Sequence, residues 1–81
     1  MFNIKKYLSN LTDSHLNFLV KEIQKINNEN KQSLLYDENS YIGKTLKLAN
    51  EDTCLSYFCL SIYVNEEVSY RWSKYISCKD L

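Results

Sequence analysis

The chain has 81 residues, with ten Lys+Arg balanced by ten Asp+Glu, 44% hydrophobic and 14% aromatic residues, one Gly and no Pro. A domain of this size buries only about 60–65% of the surface its unfolded chain exposes, which leaves room for one small core and excludes a large multi-step enzyme. The apolar and aromatic content at zero net charge excludes intrinsic disorder, so residues 1–81 are expected to fold as a single domain.

The first periodic segment runs from Phe2 to Leu11, where Ile4, Leu8 and Leu11 recur at i, i+4 and i+7 and predict about two turns of helix. Thr12 then reads as an N-cap, with Asp13 in the positive first turn and Leu11 stapled to Leu16. From there Leu16, Leu19, Val20, Ile23 and Ile26 form one stripe of an amphipathic helix, which the Asn-rich run 27–30 ends. Glu22 and Lys25 stand one helical turn apart as an ion pair.

Beyond residue 32 the apparent period changes to two. Ser33 to Tyr36 reads as a short strand, followed by a turn over Asp37-Glu38-Asn39-Ser40. In Lys44 to Ala49, Leu46 and Leu48 alternate with Thr45 and Lys47. In Thr53 to Val64, Phe58, Leu60, Ile62 and Val64 alternate with Tyr57, Cys59, Ser61 and Tyr63. Asn65-Glu66-Glu67 reads as a hairpin turn, and Val68 to Cys78 alternates again. The expected fold is α+β, an N-terminal helical segment packed on one face of a three- to four-stranded antiparallel meander. Its expected core is Leu16, Leu19, Ile23, Leu46, Leu48, Phe58, Leu60, Ile62, Tyr70, Trp72 and Ile76.

Targeting and membrane signals do not accumulate. No long apolar run follows Lys5-Lys6, and the stretch from Leu55 to Val64 is far shorter than the roughly 20 residues of a membrane span. Cys54, Cys59 and Cys78 are odd in number and contain no C-x-x-C, the pattern of reduced, half-buried thiols in a cytoplasmic protein.

Catalytic motifs are equally sparse. Gly43-Lys44-Thr45 matches the end of a phosphate-binding loop, but the upstream glycine is missing and a strand is expected to follow. The three cysteines and His15 add up to a zinc set, yet Cys54 and Cys59 on one strand would point to opposite faces. His15 in the first turn of a helix reads as solvent-facing or helix-capping. No enzyme, cofactor or metal is expected.

Charge is more informative. Residues 1–34 carry five Lys and three acids, residues 35–67 two Lys and six acids, and residues 68–81 three basic residues and one acid. All six central acids are adjacent pairs in expected connections, and a meander would bring Asp37-Glu38 and Glu66-Glu67 to one end of the sheet, with Glu51-Asp52 at the other. Such a rim would steer a basic protein surface. The mixed face of the expected sheet carries Tyr57, Tyr63 and Tyr75 beside Arg71, the composition of protein-binding hot spots.

The functional expectation is a small non-enzymatic inhibitor or neutraliser of the immunity, antitoxin or phage anti-defence type. It would occlude a protein partner such as a nucleic-acid-binding protein or complex with a basic surface. Asp37, Glu38, Glu66, Glu67, Tyr57, Tyr63, Arg71 and Tyr75 are its partner-binding candidates. Two rivals are a nucleic-acid-binding module using the sheet aromatics with Arg71 and Lys74, and a self-assembling structural subunit paired through an edge strand.

Overall fold

The structure, a computed structural model, describes residues 2–79, with side chains through Tyr75. It is helical: α1 spans Ile4–Ser9, α2 Asp13–Glu29, α3 Tyr41–Asn50 and α4 Tyr57–Lys79, with a short 3₁₀ turn at Gln32–Leu35. No strand forms among the described residues. The α+β expectation and its antiparallel meander are therefore overturned, while the N-terminal third matches its reading.

In that N-terminal third, Asn3 caps α1 by accepting from the Lys6 amide, and Thr12 caps α2 by accepting from the His15 amide at 3.1 Å. The stripe of α2 buries Leu16, Leu19, Ile23 and Ile26. The helix ends at Asn30, which takes the left-handed conformation at φ 55°, a position that short polar Asn tolerates.

The expected strand at Lys44–Ala49 lies inside α3. Leu46 and Leu48 alternate in sequence, but the residues that face inward are Ile42, Thr45 and Ala49, at i, i+3 and i+7. Ser40 provides the start, accepting from the Gly43 amide at 2.8 Å while its hydroxyl donates to the Leu34 carbonyl at 2.6 Å. The amides of Tyr41 and Ile42 donate to the Glu22 carboxylate of α2, at 3.1 and 2.7 Å. Glu22 thus caps α3 rather than serving the ion pair expected with Lys25, and the orphan donors of one helix fasten it to another.

The two longest expected strands and their hairpin are one helix, α4. Ser56 opens it, accepting from the Cys59 amide at 3.2 Å. Tyr57, Leu60, Val64, Glu67 and Arg71 then recur at steps of three and four, the inward stripe of a helix packed on α1 and α2. The segment 65–67 has no glycine to take the positive φ of a tight hairpin turn, and its glutamates favour helix. Nothing between residues 56 and 79 breaks the helix, since the chain has no proline and its one glycine is elsewhere.

The core is Leu8 from α1, the four α2 residues, Ile42 from α3, and Leu60 and Val64 from α4. Leu16, Leu19, Ile23 and Leu60 are core residues as expected, and Leu46 is partly buried against them. Leu48, Phe58, Ile62, Tyr70 and Trp72 are exposed instead, because the helical period turns alternate residues away from the interior. The expectation for Ile76 lies outside the described side chains. The molecule measures 43 × 33 × 19 Å, the thin dimension being that of two helix layers.

Gly43 sits in the first turn of α3, where a Cβ would run into the Asp37 carbonyl and the Ser40 hydroxyl. The backbone carbonyl cannot swing away without losing the Ser40 bonds it accepts. Gly43→Ala is expected to lower unfolding free energy by about 2–4 kcal/mol, read by urea denaturation; a loss within about 0.5 kcal/mol would show that this turn yields freely.

Candidate functional site

The eight expected binding residues do not gather on one face. Asp37 and Glu38 lie in the connection before α3. The Asp37 carboxylate accepts from the Asn39 amide at 2.9 Å, and Glu38 pairs with Lys47 at 3.0 Å, an exposed contact whose hydrogen bond and charge raise the Lys47 pKa. Glu66 and Glu67 are on α4, with no meander to bring them to a shared rim. Glu66 is exposed, whereas the Glu67 side chain is 14% exposed and accepts from Arg71 Nε at 2.7 Å. The third acidic pair ends α3, where Asp52 accepts from the Phe2 amide.

Arg71 is a fastener, with each of its three guanidinium nitrogens engaged. Its Nη1 donates to Asp13 at 2.7 Å, and Nη2 donates to the Leu8 and Leu11 carbonyls at 3.0 and 2.7 Å. Those carbonyls belong to the end of α1 and the turn after it; Leu8 also accepts from the Leu11 amide at 3.1 Å, and Arg71 supplies its second donor. The Glu67 hydrogen bond, and then Asp13, hold the guanidinium above its already high pKa against the opposing cost of burial. The reading of Arg71 as an open hot spot on a sheet face is corrected by the absence of that sheet and by these contacts.

The tyrosines separate similarly. Tyr57 is half-buried, its hydroxyl donating to Asn27 Oδ1 at 2.9 Å, and burial raises its phenol pKa. Tyr63 is half-buried against the core, with the Lys5 ammonium 5.8 Å from its ring centroid. Tyr75 is about half exposed and stacks on Trp72 at 5.8 Å. Lys74 lies over the exposed Tyr70 ring at 5.4 Å.

Of the eight expected binding residues only Arg71 and Tyr75 line a groove of about 570 Å³ between α2 and α4. Its α2 wall carries Asp13, Leu16, Asn17 and Val20, and its α4 wall Val68, Arg71, Trp72 and Tyr75. Most of the surface within it is apolar, and Arg71 with Asp13 closes one part of the rim. Sequence reasoning missed Asn17, Val20 and Val68. The signal was a shared spacing: Asp13, Asn17 and Val20 on α2, and Val68, Trp72 and Tyr75 on α4, each fall at i, i+4 and i+7 along the flank of the helix.

The chemistry-bearing residues stay apart. Gly43-Lys44-Thr45 begins a helix, not the expected strand, but the Gly43 amide is held by Ser40 and the Thr45 hydroxyl donates to the Tyr41 carbonyl. His15 packs edge-on against Tyr41 at 4.8 Å instead of standing free. Cys54 and Cys59 are exposed free thiols rather than half-buried ones; Cys78 lies outside the described side chains. Among the described residues no three His, Cys, Asp or Glu side chains converge as metal ligands, and no helix is long and apolar enough to cross a membrane.

Comparison with known proteins finds no matching family model, curated protein or solved structure.

Arg71→Ala is expected to lower stability by about 2–4 kcal/mol, because it strands the part-buried Glu67 carboxylate and the Leu11 carbonyl and removes one donor from Leu8; Arg71→Lys should recover only part, since one ammonium cannot reproduce the fork. Urea denaturation reads both, and wild-type stability of the alanine variant would overturn the fastening role. Tyr57 makes a prediction with pH. Its folded pKa is above the unfolded phenol value of about 10, so its contribution is complete below that pH and is lost as pH rises through the folded value. Tyr57→Phe should therefore show a shallower alkaline fall in stability than the parent protein, and parallel curves would assign the shift elsewhere.

Proposed function

We propose that this protein is a non-enzymatic protein-binding module, an inhibitor or neutraliser that works by occlusion, and that the groove between α2 and α4 is its docking surface. The observation that carries this reading is the exposure of large apolar side chains beside the groove: Trp72 is 61% exposed, Tyr75 51% and Val68 36%. Exposed aromatics contiguous with an apolar cleft mark interaction sites in small domains, because leaving them in water costs free energy that packing elsewhere would recover. Trp and Tyr also bring contact area at small entropic cost.

The occupant best suited to a trough between two helices is an amphipathic helix of the partner, its apolar residues spaced at i, i+3 or i+4, and i+7. Electrostatic steering rests on a smaller set than the four clustered acids expected from sequence. Glu67 is committed to Arg71 and Glu38 to Lys47, which leaves Asp37 in the connection before α3 and Glu66 on the exposed side of α4. Net charge is zero, so packing rather than charge carries the affinity.

Direct nucleic-acid binding receives less support. That reading needed Arg71 and Lys74 for phosphate; Arg71 is held by Glu67, Asp13 and two carbonyls, which leaves Lys74, over the Tyr70 ring, as its one cation of the pair.

Tagged protein and its Tyr75→Ala variant, passed over lysate of the native host with and without nuclease, test the proposal. The expected outcome is one stoichiometric protein, retained after nuclease treatment and moderate salt, whose affinity for the purified variant falls by more than about 1 kcal/mol with folding unchanged. Nucleic acid released by salt, or equal retention on both columns, would overturn it.

A further inference from the structure

The side of α4 that faces away from the core carries a second regular surface. Phe58, Ile62, Asn65, Ser69 and Trp72 recur at steps of four, three, four and three, and all are exposed. Phe58 is 71% exposed and Ile62 41%, and neither belongs to the core cluster. α4 therefore has two seams of the 3.5-residue kind. The inward one, from Tyr57 to Arg71, is covered by α1 and α2; the outward one is exposed among the described residues. A 3.5-residue repeat stays on one side of a helix only when that helix coils around another, so the spacing suits a helical occupant.

The order of residues along the outward seam specifies which helix. It runs apolar, apolar, Asn, Ser, aromatic. Read in either direction from residue 67, it presents a polar step followed by apolar ones. We propose that a second copy of this chain covers the seam, with the two α4 helices antiparallel about a twofold axis at residue 67. Ile62 then lies opposite Trp72 of the second copy, and Asn65 opposite Ser69.

A parallel pair would set Trp72 against Trp72 and Phe58 against Phe58, doubling bulk at each layer. The antiparallel pair matches a large side chain with a smaller one and gives Asn65 a hydroxyl partner, the kind of central polar contact that fixes register. The exposed areas of Phe58, Ile62 and Trp72, with the flanking Val68 and Tyr75, come to roughly 500 Å² per copy at the sizes of such side chains. Two copies bury about 1,000 Å², the lower limit for specific association, so the dimer is expected to be weak and concentration-dependent. Glu66 flanks the axis, and the antiparallel arrangement brings its two copies together, a repulsion that a parallel pair lacks.

This inference shares Val68, Trp72 and Tyr75 with the groove but does not rest on that reading, and it is tested on purified protein alone. Sedimentation equilibrium from about 1 µM to about 1 mM is followed together with emission of Trp72, the one tryptophan. The expected result is a doubling of mass accompanied by a blue shift as Trp72 leaves water. Ile62→Asp should abolish both with the helical circular dichroism unchanged, and Glu66→Gln should tighten the dimer about twofold. A monomer throughout the range, or a dimer that survives Ile62→Asp, overturns the proposal; a dimer unchanged or weakened by Glu66→Gln overturns the antiparallel register.

Discussion

The end of α1, the start of α2 and the middle of α4 meet at one guanidinium. Arg71 reaches the Leu8 and Leu11 carbonyls and the Asp13 carboxylate from a position held by Glu67 one helical turn earlier. A helix of six residues such as α1 has almost no internal hydrogen bonds of its own and persists only where tertiary contacts hold it. Leu8 in the core anchors one side of it, and Arg71 satisfies carbonyls at its end. The planar fork suits this task because its donors diverge toward three elements at once.

A second fastening acts between α2 and α3. Glu22 accepts from two successive amides at the start of α3, and Ser40 accepts from the third while donating into the preceding turn. Gly43 lets that turn close on the Asp37 carbonyl. Both fastenings use charged side chains on backbone groups at helix ends, where each satisfied donor or acceptor removes a desolvation cost that a chain with so small a core cannot easily offset. Their functional consequence is subtractive. Arg71, Glu67 and Glu22 are taken out of the inventory from which an active site or a phosphate-binding surface would be built.

What α4 leaves to solvent includes six large apolar side chains, Phe58, Ile62, Val68, Tyr70, Trp72 and Tyr75. Its inward stripe takes Tyr57, Leu60 and Val64 before ending in Glu67 and Arg71, and Phe58, Ile62, Val68, Trp72 and Tyr75 are left on its flank and back. The flank joins α2 in a groove; the back repeats at the spacing of a helix-pairing seam. The two surfaces meet at Trp72, which lines the groove and ends the described part of the seam. A domain with one thin core and a long helix has more apolar side chains than it can enclose, and their placement along two regular lines carries both binding proposals.

The sequence by itself determined the N-terminal third: the Thr12 cap, the Leu11–Leu16 boundary and the buried stripe of α2 follow from local hydrogen bonding and an unbroken 3.6-residue period. It also showed the poverty of catalytic motifs. In α3 and α4 it supported two periods at once, since Leu60 and Val64 are both alternate members of a strand and successive members of a helical stripe. The polar residues that complete the helical stripe, Thr45 in α3 and Glu67 and Arg71 in α4, erased the apolar signal that would have chosen between them. Ser40 and Ser56 marked the true helix starts, but a serine reads as a cap only if a helix follows. The choice fell to tertiary structure. Arg71 and Glu67 can lie inward only when a helix places them one turn apart and sets carbonyls and an opposing carboxylate within reach of the guanidinium, and the same rotation turns Phe58, Ile62 and Trp72 outward and makes the candidate surfaces.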